Sequence, residues 1–380
     1  MQFINHMNVD HLKETSTQLK QKPENAIKQI NLEFYWMFKG KVQFDASFHF
    51  DQGVEKIKAD NPKSMGGLGN APSPLALCVF AFAGSLASSY ARTCALMNIK
   101  LNKLITRCEI DFDFTRITGL DMQKPPATQI ILSTSVFSFE NKDKLENAFK
   151  IAREQCPGVF LAENAVPVTT QTTITQYKKV PQKKGKKINH INLDSVYTFQ
   201  SQLRAKPQES IKPEIVEGAW ECNSVSGPQF NTTFIDGKPQ FGLWKTDSRK
   251  MMGGESSAPF PLQYFLGGIS CCLLTHYAYA SALRALSLKS IEIESQLDQD
   301  ISREMMLNEN PVVPKMSFHF DIGTDQPLSV AKELTEDCIR RCPMMYILLN
   351  KFTVKTDLYI NQDLPPLKFD TDEDKRCNMM

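Results

Sequence analysis

The cysteines are the residues of this chain that could take part in the most kinds of chemistry, since a thiol can act as a nucleophile, a redox centre or a metal ligand. The ten cysteines lie at positions 78, 94, 108, 156, 222, 271, 272, 338, 342 and 377 of the 380 residues. Neither a CxxC pair nor a zinc-type spacing of cysteine and histidine occurs. The spacing therefore predicts no metal site and no structural disulfide framework. Most of these thiols should be buried and inert, and the question is which of them react.

An internal duplication supplies the elements that must position them. Residues 4–28 (INHMNVDHLKETSTQLKQKPENAIK) recur 184 positions later as INHINLDSVYTFQSQLRAKPQESIK. A Gly-Gly turn with a following Pro-x-Pro recurs 187 positions on, and Cys156-Pro157 recurs as Cys342-Pro343. The constant order of these markers predicts two tandem domains. A covalent pseudo-dimer is the expected arrangement, with function sought between its halves.

The predicted boundaries follow from the repeat. Residues 1–176 form the first domain, 177–187 a Lys-rich linker, 188–365 the second domain and 366–380 a charged tail. The linker contains the one strongly basic run, and a solvated connection is favoured over a binding patch.

Each copy shows the same predicted order of elements. A short polar helix ends at Lys-Pro, alternating strands follow, and the Gly-Gly turn leads into a long apolar helix over 74–97 or 261–286. Two more strands, a charged helix that ends at Cys-Pro and a last strand complete the copy. The pattern predicts an α+β fold, in which the antiparallel sheet of each copy wraps a long buried central helix.

Charge and hydropathy bear on partners and location. The formal net charge is +2, so nucleic acid is not a predicted partner. Each apolar segment is as long as a membrane span, but the flanking strands favour a helix enclosed by a sheet, so no membrane insertion is expected. Because the repeat begins at Ile4, no removable presequence is expected. A soluble intracellular protein of the cytoplasm is predicted, with an organelle matrix as the open alternative.

Taken together, the motifs resemble a known family. Gly-Gly, Pro-x-Pro, a buried helix with a central cysteine and a second helix ending in Cys-Pro resemble the OsmC/Ohr family of thiol peroxidases. The opening NVDHLKETSTQLKQKP also resembles the leading helix of an OsmC-like subgroup. The resemblance covers nearly all of both copies. It implies intertwined domains with active sites at their interface and reduction of organic hydroperoxides.

The resemblance also implies site residues. The peroxidatic cysteine of the family follows the helix-opening proline by 11 residues, a count that reaches Cys272 in the second copy and Ser85 in the first. The cysteine of Cys-Pro is the implied resolving residue, Cys342, and its match in the first copy is Cys156. The implied function is a thiol-dependent organic hydroperoxide reductase with one working pair, Cys272 and Cys342, and a degenerate first site.

The implied substrates are an organic hydroperoxide and a small dithiol donor resembling dihydrolipoamide, with no metal, flavin or other cofactor. The Arg and Glu that activate the thiol in the family have no match, since Leu262 and Gln263 follow the helix-opening proline. Lys39, Lys41 and His276 are candidates for stabilising the thiolate. Their alternatives are ordinary exposed lysines and a satisfied buried imidazole.

Two alternatives stay open. A cysteine in an apolar helix is commonly a small core residue, and Cys338, one turn before Cys342, is another candidate partner for Cys272. At the level of function, the chain could be a catalytically inactive OsmC-like binding or structural subunit of a larger assembly with protein partners. The serine at position 85 and the missing Arg and Glu favour that second hypothesis.

Overall fold

A computed structural model describes residues 1–182 and 185–367. Positions 183 and 184 of the predicted linker, the predicted tail from 368 onward and Cys377 lie outside the described residues. The first copy contains β1 (Phe3–Ile4), β2 (Met7–Asn8), α1 (Val9–Gln21), β3 (Ile27–Tyr35), β4 (Phe44–Phe50), β5 (Gly53–Ala59), α2 (Pro74–Leu96), β6 (Lys103–Asp113), α3 (Phe114–Ile117), β7 (Ala127–Phe137), α4 (Lys142–Gln155), α5 (Pro157–Glu163) and β8 (Val168–Gln176).

The second copy repeats most of this order. It contains β9 (Lys187–Ile188), β10 (Ile191–Asn192), α6 (Leu193–Ala205), β11 (Ile211–Trp220), β12 (Phe230–Ile235), β13 (Lys238–Pro239), β14 (Lys245–Thr246), α7 (Pro261–Leu283), β15 (Ser290–Asp300), α8 (Ile301–Glu304), β16 (Lys315–Thr324), α9 (Leu328–Arg341), α10 (Pro343–Leu349) and β17 (Val354–Ile360). The mixture of helix and strand confirms the predicted α+β class.

The two large sheets are each built from both copies. One has the order β13-β12-β11-β6-β7-β17, with β14 also pairing with β12, so strands of the second copy flank β6 and β7 of the first. The other has the order β3-β15-β16-β8, in which strands of the first copy flank β15 and β16 of the second. The strand exchange places the central helices of both copies in one shared core.

The sequence predicted antiparallel sheets, but both large sheets are mixed. The last strand of each copy, β8 or β17, pairs in parallel with β16 or β7 of the other copy. A long connection through two helices precedes each last strand, so no tight turn forces it to run antiparallel to its neighbour. The remaining pairings within the large sheets are antiparallel.

Matching tryptophans make the same contact in opposite directions. The indole N–H of Trp36 donates to the carbonyl oxygen of Asn189 at 2.8 Å, and that of Trp220 donates to the carbonyl oxygen of Asn5 at 2.8 Å. Both indoles are buried. Each copy thus depends on the other for a partner to a buried donor, which costs free energy when left unpaired.

The long central helices α2 and α7 pack directly against each other. Each begins with a proline at its first turn, and Ser73 additionally caps α2 by accepting from the backbone N–H of Ala76 at 3.0 Å. Close approach is possible because Gly268 faces α2: an added Cβ would lie 2.4 Å from the Sγ of Cys78. Helices enclosed on all sides need no polar face, which explains their largely apolar sequences.

The Gly-Gly turn before each central helix has a steric cause. Gly66 and Gly253 adopt left-handed backbone with φ of 79° and 86°, which strongly favours glycine. At the next position, an added Cβ on Gly67 would lie 2.0 Å from the carbonyl oxygen of Asn61. Both glycines of the motif are thus required by the backbone.

One described helix, α2, is long and apolar enough to cross a membrane, and 94% of its most apolar stretch is buried inside the protein. Burial of this kind is typical of the core helix of a soluble protein. Inside the protein, α7, α4, β11 and β6 pack against α2.

Candidate active site

Cys272 and Cys342 lie next to each other although 70 residues separate them. Cys272 lies on α7, and Cys342 lies between α9 and α10, where the Cys-Pro sequence ends one helix and starts the next. Their Sγ atoms are 3.2 Å apart, and both thiols are free. The side chains are 3% and 0% exposed. A small movement would bring the sulfurs to the bonding distance of about 2.05 Å.

A small cavity of about 40 Å³ adjoins Cys272. Residues of the second copy on its wall include Cys272, Thr275, His276 and Pro343. Residues of the first copy on its wall include Asn61, Pro62, Met65, Pro74, Leu75, Phe114 and Ile117. The wall is therefore mainly apolar and is shared between the copies.

The surroundings of Cys272 favour the neutral thiol. Burial and the contact with Cys342 raise the pKa of Cys272 well above its ordinary value. Burial also lowers the pKa of His276 to about 3, and the Arg341 guanidinium contributes to the lowering. The imidazole is consequently neutral near neutral pH and supplies no positive charge to stabilise a thiolate.

The two candidate lysines lie elsewhere. Lys39 and Lys41 are exposed in the loop between β3 and β4, and neither is on the wall of the Cys272 cavity. They make no direct contact there that would support the expected role. Cys338, the alternative partner, donates its S–H to the carbonyl oxygen of Leu273 at 3.0 Å and is buried. Of the two candidate partners, Cys342 is the one that contacts the sulfur of Cys272.

Sequence reasoning missed two polar side chains at this site, Asn61 and Glu214. Asn61 of the first copy donates its side-chain amide to Thr275 Oγ1 at 3.1 Å and also to Gln43, and thereby ties the first copy to α7. Glu214 on β11 lines the same cavity and accepts from the Ser73 hydroxyl. Burial, with the nearby Asp236, raises the pKa of Glu214 well above its ordinary value. None of these residues belongs to a motif, so only their position in the fold identifies them.

The matching position in the first copy keeps the geometry but lacks the thiol pair. Ser85 Oγ lies 3.4 Å from the Sγ of Cys156, and the backbone N–H of Gly158 donates to the same hydroxyl at 3.0 Å. A serine hydroxyl is not oxidised by a hydroperoxide, so this pair cannot form a disulfide.

Charged groups are concentrated at the first site. A second cavity of about 40 Å³ is lined by Ser85, Arg92, Arg249 and Glu304. Arg92 forms a buried ion pair with Glu304 at 2.9 Å, and the side chains are 3% and 5% exposed. The guanidinium of Arg249 lies 4.1 Å from the ring centre of Phe260. The two cavities therefore differ, since Arg92 and Arg249 line the cavity beside Ser85 and no described arginine is on the wall of the cavity beside Cys272.

One group of side chains has the composition of a metal-ligand set. The donor atoms of Cys272, His276 and Cys342 all lie within 4.8 Å of one another, and all three side chains are buried. Cysteine sulfur and imidazole nitrogen are the donors that zinc prefers. The expectation of no metal site considered spacing along the chain, whereas the fold assembles this group from positions 70 residues apart.

Comparison with known proteins places the chain in a family. A family model described as OsmC-like protein matches residues 67–171 and 253–357, which together make up more than half of the chain. No match was found among curated proteins. The two matched ranges each contain a central helix and the Cys-Pro sequence, in agreement with the tandem repeat and with a general peroxiredoxin-like or structural role. The chain belongs to the OsmC-like family and contains two copies of the family domain.

Proposed function

We propose that the protein is a thiol-dependent organic hydroperoxide reductase with one working site per chain. The observation that carries the proposal is the 3.2 Å separation of the Cys272 and Cys342 sulfurs beside a cavity shared by the copies. Cys272 is the peroxidatic residue, because it lines the cavity, and Cys342 is the resolving residue.

The proposed chemistry has two steps on the protein. The Cys272 thiolate attacks the terminal oxygen of ROOH, the O–O bond breaks, and the alkoxide takes up a proton and leaves as ROH. The resulting sulfenic acid is attacked by the sulfur of Cys342, which forms the disulfide and releases water. A small dithiol such as dihydrolipoamide then returns both cysteines to thiols and is itself oxidised to a disulfide.

The cavity constrains the substrate. Its largely apolar wall suits the alkyl group of an organic hydroperoxide. Because burial raises the pKa of Cys272, the thiolate fraction is small near neutral pH, and the rate of the first step should increase with pH. A reducing compartment such as the cytoplasm, which keeps both thiols available, is the location that we propose.

The test is consumption of tert-butyl hydroperoxide with dihydrolipoamide as the donor. Turnover should disappear in Cys272→Ser, while Cys342→Ser, with the dithiol left out, should consume one hydroperoxide per chain and stop at the sulfenic acid. Cys271→Ser is the matched control, since this neighbouring buried thiol lies outside the Cys272 cavity lining. Equal turnover in the intact chain and in Cys272→Ser would exclude the proposal.

The raised pKa of Cys272, with Arg92 and Arg249 at the other half-site, favours a second candidate function. In that case the chain is an inactive OsmC-like binding or structural subunit. A folded protein whose Cys272 does not react with hydroperoxide at pH 7 or pH 9 would support this second function.

A further inference from the structure

The group formed by Cys272, His276 and Cys342 has a feature that the proposed redox chemistry does not use. His276 lies four residues after Cys272 on α7, so both side chains are on one face of the helix. The imidazole is 2% exposed, and its Nδ1 has no hydrogen-bond partner among the described residues. An unpaired buried nitrogen is costly, and a bound ligand at the site would satisfy it.

We propose that Cys272, Cys342 and His276 form a binding site for one Zn²⁺ ion in the reduced protein. The three donor atoms already lie within 4.8 Å of one another. With Zn–S of about 2.3 Å and Zn–N of about 2.0 Å, donors around a tetrahedral ion are about 3.5–3.8 Å apart. The sulfurs at 3.2 Å need to separate slightly, and the imidazole needs to approach.

Charge and space agree with a zinc ion. Two thiolates and a neutral imidazole give a charge of about −2, which Zn²⁺ balances, and binding releases the two thiol protons. The cavity wall contains both Cys272 and His276, so the fourth coordination position can face the cavity and hold water. Two cysteines, one histidine and an open position form a known ligand set for zinc.

The first copy provides an internal comparison. The positions that match Cys272 and His276 are Ser85 and Ser89, and only Cys156 remains of the donor set. Hydroxyl groups do not replace a thiolate and an imidazole as zinc ligands. The expected stoichiometry is therefore one ion per chain.

Zinc binding would also affect the redox pair. An ion bound to both sulfurs prevents attack on a hydroperoxide, and a disulfide between Cys272 and Cys342 removes both sulfur ligands. Zinc would thus act as a reversible inhibitor, a consequence that rests on the proposed function, whereas the binding itself does not.

The experiment is an anaerobic titration of the reduced full chain with Zn²⁺ in competition with a chromophoric chelator. The intact chain should bind one equivalent, and His276→Gln should weaken binding at least about tenfold. Cys271→Ser, a neighbouring thiol outside the donor group, should bind like the intact chain. Thermal unfolding of each zinc-free variant checks that it is folded.

A second measurement does not depend on any variant. Co²⁺ in place of Zn²⁺ should produce a thiolate-to-metal charge-transfer band with the reduced chain, and that band should be absent after oxidation with diamide. No competition with the chelator, or unchanged affinity in His276→Gln, would overturn the zinc site. Turnover measured on a zinc-free portion of the same preparation, before the titration, separates the two proposals. Zinc binding by a chain that shows no turnover when zinc-free contradicts only the peroxidase, and turnover without zinc binding contradicts only the zinc site.

Discussion

Ser85 Oγ lies 3.4 Å from the Sγ of Cys156, which is nearly the separation of 3.2 Å between the sulfurs of Cys272 and Cys342 in the second copy. The duplicated fold has therefore kept the position of a thiol pair where only one thiol remains. The Ser85 cavity also contains Arg92 and Arg249. A thiol at this position would therefore lie in a cavity lined by two arginines, of which Arg92 is paired with Glu304, whereas none of the described arginines lines the Cys272 cavity.

Ser85→Cys should accordingly create a second redox pair. After mild oxidation with diamide, the variant is expected to contain two disulfides and the parent chain one, as counted by mass spectrometry of blocked thiols. Ser88→Cys is the matched control on the same helix, because the Ser88 hydroxyl contacts Ser248 at 3.1 Å and not a cysteine. If the new thiol of Ser85→Cys remains reduced to the same extent as the new thiol of Ser88→Cys, the geometry at Ser85 and Cys156 does not match that at Cys272 and Cys342.

The buried pair of Arg92 and Glu304 links α2 of the first copy to α8 of the second. Arg92→Met would leave the Glu304 carboxylate buried without its partner, and the free energy of unfolding should decrease by about 3–5 kcal/mol. The double variant Arg92→Met/Glu304→Gln removes both charges and should recover most of that loss. Urea denaturation at pH 7 measures both.

A control for this prediction is the exposed pair of Lys142 and Glu146, with side chains 71% and 51% exposed. Lys142→Met should leave the denaturation midpoint almost unchanged, because exposed ion pairs contribute little. If Arg92→Met shifted the denaturation midpoint as little as Lys142→Met does, the protein would tolerate the unpaired buried carboxylate of Glu304, and the prediction would be wrong.

Local pattern predicted the elements well. The first central helix was predicted over 74–97 and extends over Pro74–Leu96, because its proline start and apolar length are properties of the segment itself. The second was predicted to reach residue 286 but ends at Leu283. The backbone of Ala285 is left-handed, with φ of 55°, and so cannot continue the helix. Alanine rarely adopts this conformation, so the residue types of the segment did not predict the earlier end.

The strand exchange was not predictable in the same way. β3 pairs with β15, whose sequence lies more than 250 residues away, and period-two alternation indicates a buried face without indicating a neighbour. For the same reason the contributions of Asn61 and Glu214 to the Cys272 cavity were missed. Cys272 and Cys342 were found only because the motifs resembled a family, and not because their spacing of 70 residues signals proximity.

Close packing of the central helices at Gly268 gives a steric prediction. An added Cβ would lie 2.4 Å from Cys78 Sγ and 2.9 Å from the carbonyl oxygen of Pro74, and the backbone oxygen cannot rotate away. Gly268→Ala should therefore reduce the free energy of unfolding by about 1–3 kcal/mol. Gly84→Ala is the control within α2, since its nearest contact would be 3.3 Å and the gain in helix propensity is about 1 kcal/mol. Denaturation midpoints that fall equally in both variants would contradict the steric argument.

Burial of His276 predicts a decrease of stability in acid. The pKa is about 3 in the folded protein against an ordinary value of 6.5, so the folded state binds the proton less well than the unfolded state. The contribution of His276 is complete above pH 6.5 and is lost as the pH falls from 6.5 toward 3, at roughly 1.4 kcal/mol per pH unit. Between pH 7 and pH 5 the intact chain should therefore lose about 2 kcal/mol more than His276→Gln.

The comparison with His276→Gln is needed because other groups titrate over the same range. Burial raises the pKa of Asp247 to about 6, and its effect on stability has the opposite sign, but it is common to both proteins and cancels in the difference. Urea denaturation at the two pH values, with a chelator present to remove zinc, gives that difference directly. Identical pH dependence of the two proteins would mean that the imidazole of His276 accepts a proton in the folded state as readily as in the unfolded state. Neither burial nor the charge of Arg341 would then lower its pKa.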